Sequence, residues 1–252
     1  MSKITIKTKA IVLQSIKYGD SSLIVKMLTE ELGLQSYMVK GVFGKKSKMK
    51  PALFQNMTLL DIVCGSANGS LGFIKEISLS HYYKSIATDI KKSTIIIFIS
   101  ELLSKSISES ETDINLFNFI YDSMLWLDDA TSDYADFPII FAIRLSAHLG
   151  FFPNIETYKE GYCFDLLDGN FKKVNNDIYQ IDENISSALN NVCQLSISSQ
   201  DWRPAGSHIF SFSNSSILTT RRQLLDAIII YFKLHSDNVK EVRSIDILRE
   251  IL

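Results

Sequence analysis

From Lys7 to Lys50 the chain reads KTKAIVLQSIKYGDSSLIVKMLTEELGLQSYMVKGVFGKKSKMK. Three apolar-rich runs, Ala10–Leu13, Leu23–Leu28 and Leu34–Val42, are cut apart by Gly19-Asp20-Ser21-Ser22 and by Glu31-Leu32-Gly33. Short runs rich in Ile, Val and Leu with turn residues between them read as strands. Ahead of them, Ile4 and Ile6 alternate with Lys3, Thr5 and Lys7, the period of a half-exposed strand. The same region concentrates positive charge. Residues 1–50 hold ten lysines against Asp20, Glu30 and Glu31, a balance of +7. The whole chain is −2, so the other 202 residues carry −9. A basic β region on an acidic body points to contact with nucleic acid.

Two more runs, Thr58–Val63 and Gly72–Leu79, flank the turn Gly65-Ser66-Ala67-Asn68-Gly69. Five short strands in about eighty residues predict a small barrel, and the OB-fold is the commonest five-stranded form. An SH3-like barrel fits the pattern nearly as well. After His81 the period becomes helical. Tyr82–Ser108 carries Ile95, Ile96, Ile99, Leu102, Leu103 and Ile107 as one stripe, and Leu116, Phe119, Ile120, Met124 and Leu127 mark a second helix. Asp136 with Pro138 is placed to cap a third helix that stops near Gly150. Pro153–Val174, with turn signals at Gly161 and Asp168-Gly169, predicts a hairpin insert. Helices are expected around Asn184–Leu195, Leu218–Lys233 and Ser244–Ile251, with Gln200–Ser216 as a loop. The expected organisation is an α+β protein: an OB-like nucleic-acid-binding domain over 1–80, then a helical domain over 81–252 with a β insert at about 154–176.

At 252 residues and 46 % hydrophobic the chain can bury a core, in one large or two smaller domains. No apolar run reaches the ~18–20 residues of a membrane span, and the opening residues do not resemble a secretion signal. Cys64, Cys163 and Cys193 are far apart and form no C-x-x-C pair, which predicts reduced thiols and a cytoplasmic protein.

The sharpest candidate site is the lysine run after the third strand. Lys40, Lys45, Lys46, Lys48 and Lys50 would follow a phosphate backbone, with Tyr37 or Phe43 offered to the bases. Lys7, Lys9 and Lys26 are secondary candidates, because lysines on strands also guard sheet edges. A lysine-rich loop taken alone is equally a solvated loop. Arg144 shares a helical face with Ile140, Phe141, Leu145 and His148, and it either pairs inside the bundle or offers a cation to a partner. Catalytic motifs are missing: there is no phosphate-binding glycine loop, no HExxH and no nucleophile elbow. Asp165 and Asp168 read as turn formers, Asp128-Asp129 and Asp133 as solvated surface, and Trp126 and Trp202 as packing residues.

These residues also carry a resemblance. Lys9-Ala10-Ile11-Val12-Leu13, Tyr18-Gly19-Asp20-Ser21-Ser22, Leu28-Thr29 with Gly33, and Val39-Lys40-Gly41 resemble the N-terminal barrel of the RecO family of bacterial recombination mediators. His148-Leu149-Gly150-Phe151 with Pro153 resembles the family segment leading into its insert. Tyr231-Phe232-Lys233-Leu234-His235, Arg243-Ser244 and Leu248-Arg249 resemble its C-terminal helices. The resemblance implies a non-enzymatic DNA-repair protein that binds single- and double-stranded DNA and anneals strands. It implies action with RecR so that RecA loads on DNA coated by single-strand DNA-binding protein, whose acidic, Phe-ended tail would meet Ile140, Phe141, Arg144, Leu145 and His148. A monomer is the expected state. Two other readings stay open, an RNA-binding accessory protein on the same barrel and a nucleic-acid-processing enzyme. Many members of the family hold a structural zinc on four insert cysteines. Here Asn154–Asn176 contains Cys163 alone and no histidine, so no metal and no cofactor are expected.

Overall fold

The structure, a computed structural model, describes residues 5–45, 47–65, 71–107, 112–175, 177–198 and 214–251. Lys46, Trp202, most of the turn after Gly65, the acidic turn from Ser108 and most of the loop from Gln200 lie outside the described residues. The chain divides into two compact units, Met1–Asp128 and Asp129–Leu252.

In the first unit the apolar runs become β1 (Ile6–Tyr18), β2 (Ser22–Thr29), β3 (Gly33–Val39), β4 (Leu59–Gly65) and β5 (Phe73–Leu79). They form one antiparallel sheet in the order β3-β2-β1-β4-β5. Gly19 and Gly33 turn the chain at φ +61° and +64°, a conformation that favours glycine. β1 is longer than its apolar run. It continues past an irregularity at Val12/Gln14 to Tyr18, and so pairs with β2 along its second half and β4 along its first. That kink lets the sheet curl around a core of Ala10, Val12, Val25, Met27, Tyr37, Val39, Leu60, Ile62 and Cys64.

The ends of the curled sheet meet in parallel at Tyr37 and Gly72. Gly72 N–H donates to the Ser36 carbonyl at 2.8 Å, and Met38 N–H donates to the Gly72 carbonyl at 2.9 Å. No continuous ladder joins β3 to β5 among the described residues. The result is the partly open five-stranded barrel of the OB kind.

After the sheet come the α-helices α1 (Ile90–Ser106) and α2 (Ile114–Asp129). The helical span expected from Tyr82 begins instead at Ile90, after the Asp89 cap, whose carboxylate accepts from Lys91 and Lys92 N–H. The residues before it are held instead by Asp128. Read from sequence as solvated, Asp128 is only 2 % exposed. Its carboxylate accepts the backbone N–H groups of Lys84, Ser85 and Ile86 and a bond from the His81 ring. A buried carboxylate is tolerable when its lone pairs are occupied in this way.

The second unit contains α3 (Phe137–His148), the hairpin β6 (Tyr162–Asp165) and β7 (Asn170–Lys173), α4 (Glu183–Ser198), α5 (Asn214–His235) and α6 (Ser244–Ile251). Asp136 stands at the cap position of α3 but makes no capping bond. Its Oδ1 accepts from Arg221 Nε of α5 at 2.5 Å, and a charge-assisted bond outweighs a local cap. No helix among the described residues is long and apolar enough to cross a membrane.

Candidate nucleic-acid interface

The connection from β3 to β4 carries the lysine run, and its ends are pinned. Val42 is fully buried, and its N–H donates to the Ser21 carbonyl in the β1–β2 turn at 2.8 Å. Downstream, Phe54 and Met57 are buried, Ser15 Oγ donates to the Phe54 carbonyl, and Met57 N–H donates to the Val12 carbonyl. Between these anchors the loop must run over the surface. Lys40, Lys45, Lys48 and Lys50 are exposed along it. Lys50 Nζ donates to the Gly44 and Lys45 carbonyls at 3.2 and 3.0 Å, so it closes the loop on itself. Phe43 is 48 % exposed, and Lys17 Nζ lies 5.6 Å from its ring centroid. Away from this loop, the unit holds ion pairs at His81–Asp128 and Lys105–Glu101. A pinned cationic loop with an open aromatic ring can follow phosphates while offering a stacking face.

The other sequence candidates separate. Tyr37 cannot stack on a base: it is 2 % exposed inside the barrel, where its hydroxyl donates to Cys64 Sγ at 3.3 Å and burial pushes its pKa up. Lys26 is half-buried and donates to the Ser104 carbonyl near the end of α1, a site where the helix dipole favours a cation. Lys9 is exposed on β1 opposite Asp61, with its ammonium 5.0 Å from the Tyr121 ring. Lys7 is exposed on the same strand, opposite Val63. Sequence reasoning missed Lys17 and Tyr18. Both are exposed beside the lysine loop because β1 runs on through them, and the alternation of Ser15, Ile16 and Lys17 was the available signal.

In the second unit, Ile140, Phe141 and Leu145, named from sequence as partner-peptide contacts, are buried in the helical core and so are withdrawn from that surface. They belong to the core that α3 forms with α4 and α5. Arg144 and His148 of the same helix are half-buried. Arg144 donates through one guanidinium nitrogen to the Ser196 carbonyl in the last turn of α4 at 2.9 Å, and burial lowers its pKa.

Comparison with known proteins now decides the family. Residues 1–83 match the model of the Recombination protein O N terminal region, and residues 87–157 match that of its C terminal region. A protein of Flavobacterium psychrophilum named DNA repair protein RecO is 36 % identical over 250 residues, covering 98 % of each chain. One of the same name from Bacteroides fragilis is 32 % identical over 248 residues, covering 97 % of this chain and 98 % of its own. The chain belongs to the RecO family.

The zinc associated with many RecO proteins does not fit the residues of this insert. Cys163 is its one thiol; it is buried, and burial raises its pKa. Among the described residues no three His, Cys, Asp or Glu side chains gather as a metal site. Aromatic packing occupies the insert instead. Phe164 and Phe171 lie 4.9 Å apart, Tyr158 lies 5.1 Å from Phe171, and Tyr231 of α5 lies 5.5 Å from Phe164. Asp165 is the turn former expected of it: its Oδ1 accepts the N–H groups of Leu167 and Asp168, while its Oδ2 receives Lys172.

Proposed function

We propose that this RecO-family chain is a DNA-binding mediator of recombinational repair that uses the lysine loop end of its barrel. The observation that supports the reading is the Val42–Ser21 bond, which joins the loop carrying exposed Lys40, Lys45 and Lys48 to the turn after Lys17, whose ammonium lies 5.6 Å from the exposed ring of Phe43. Phosphate contact of this kind is sequence-tolerant and suits single and double strands alike. By its family resemblance the chain anneals complementary strands, works with RecR, and helps RecA load on DNA coated by single-strand DNA-binding protein. On this reading that protein's acidic tail meets the α3 face of half-buried Arg144 and His148. The role asks for no catalysis, and a cytoplasmic monomer suffices for it.

The test is removal of charge from Lys40, Lys45 and Lys48 together. Each phosphate neutralised on a single strand contributes about −0.7 to the log–log salt slope. The triple alanine variant should bind DNA more weakly with a slope flatter by about 2. Unchanged affinity and slope in the folded variant would move the DNA site elsewhere. Competition between RNA and DNA of one sequence separates the RNA-binding reading.

A further inference from the structure

We infer that Lys50 is the positioning residue of the lysine loop, a strut that holds the backbone around Lys45 in shape and gives no phosphate contact of its own. The inference rests on the reading that this loop is the DNA site, and it adds what keeps that site in order.

The root of the strut is fixed by its own backbone. Lys50 stands before Pro51 with φ −74° and ψ 150°, the extended conformation that a following proline imposes. Its carbonyl accepts the Leu53 N–H at 3.0 Å, and Phe54, which ends that turn, is buried in the barrel core. Met49 beside it packs against the same core. At the far end Val42 is fully buried. Six residues, 43–48, are left to cross the surface between Val42 and Met49.

The backbone bonds within this span are local. Gly44 N–H donates to the Gly41 carbonyl at 3.1 Å, and Ser47 N–H donates to the Gly44 carbonyl at 3.0 Å. The span also carries Lys45, Lys46 and Lys48, and like charges so closely spaced push a free segment apart. The Lys50 ammonium crosses the loop against that tendency, to the Gly44 carbonyl at 3.2 Å and the Lys45 carbonyl at 3.0 Å. These two carbonyls flank the Lys45 Cα, one residue on from Phe43, so the strut fixes the backbone from which that cation projects. An ammonium has three N–H donors, and two are taken here. A phosphate would have to displace them to reach Lys50, whereas Lys45 and Lys48 are exposed beside it. Order set before binding lowers the entropy lost on binding, which is how a strut raises affinity without touching the ligand.

The experiment uses the full-length protein and three variants, Lys50→Met, Lys45→Met and Lys45→Met/Lys48→Met. Each is titrated with fluorescent oligothymidine of about 16 nucleotides across a range of salt, and NMR order parameters are measured on the free protein at Gly44 and Lys45. Lys50→Met should bind about fivefold more weakly with the salt slope of the parent. Its order parameters should fall from about 0.85 toward about 0.6. Lys45→Met should instead flatten the slope by about 0.7 and leave the order at Gly44 unchanged. If Lys50→Met flattens the slope as Lys45→Met does and leaves the loop ordered, Lys50 is a phosphate contact and the strut is disproved. If the loop loosens while affinity holds, its order plays no part in binding and the positioning role is disproved. If Lys45→Met/Lys48→Met binds with parent affinity and slope, the underlying reading of the DNA site fails, and the positioning role fails with it whatever the order parameters show.

Discussion

His81 Nε2 stands 3.1 Å from Oδ2 of Asp128, forty-seven residues further along the chain. The carboxylate that receives it is fixed on its other sides by backbone N–H groups of Lys84, Ser85 and Ile86. Burial alone would raise the Asp128 pKa. The bonds from Lys84, Ser85, His81 and Ile86 outweigh burial and hold it at about 2, against 3.8 for a free side chain. A depressed carboxylate stabilises the fold fully above its unfolded pKa and loses that contribution as pH falls through the folded one. Stability should therefore decline between about pH 4 and pH 2, with Asp128 supplying about 2 kcal/mol of the loss. In Asp128→Ala the buried N–H groups lose their acceptor, so stability at neutral pH should fall by about 3 kcal/mol or more. Denaturant unfolding at pH 7 and pH 3 checks both, and an equal acid loss in the variant would assign that limb to another group.

Gly72 is where the two ends of the barrel sheet touch. A Cβ added there would lie 2.7 Å from two ring carbons of Tyr37 and 3.2 Å from the Gly65 carbonyl oxygen. The Tyr37 ring is buried and cannot swing out, so Gly72→Ala should cost about 1–3 kcal/mol by overpacking. Hydrogen exchange should report faster opening at Met38 and Gly72 ahead of the rest of the sheet. Parent-like protection in the variant would mean that the seam is slack.

Arg144 is half-buried on α3 and donates to the Ser196 carbonyl in the last turn of α4, a contact that supports structure. Arg144→Ala should lower stability by about 1–2 kcal/mol. On the proposed partner role it should also weaken an acidic, Phe-ended peptide about tenfold while DNA binding stays intact. Calorimetry with the peptide beside a melting curve separates the two effects. A fall in melting temperature with unchanged peptide affinity would leave Arg144 a structural residue only.

The insert should depend on its rings and be indifferent to metal. Phe171→Ala should cost about 3–5 kcal/mol, the range for buried Phe, and loosen the β6–β7 hairpin. A strong chelator should leave the melting curve of the parent protein where it was. Stoichiometric zinc surviving dialysis, or a chelator-induced drop, would overturn this.

Much of the architecture was legible because it is local. Strand runs, their turns and the apolar stripes of α2, α4 and α6 are short-range patterns, and they fell close to their predicted bounds. What the sequence hid depends on distant partners or on parity. Asp128 looks solvated until the segment after β5 folds over it. Asp136 looks like a cap until Arg221, eighty-five residues on, takes its carboxylate. Tyr37 was misplaced because both faces of β3 carry equal apolar content, Leu34 and Met38 against Tyr37 and Val39, so periodicity could not say which side faces inward. Tyr18 was overlooked because the polar Gln14-Ser15 step disguises the continuation of β1.

The Asp136–Arg221 pair also sets an order of events on the ribosome. Every ladder of the barrel lies within the first seventy-nine residues, and the carboxylate that locks the following segment is Asp128. The first unit therefore has all its own contacts once about half of the chain has emerged. α3, by contrast, must wait for α5 to be synthesised before its first turn gains its ionic partner. Nascent chains stalled near residue 170 should show a protease-resistant amino-terminal unit while the helices after Asp129 are still cut, and resistance beyond Asp129 should appear only once α5 has cleared the exit tunnel.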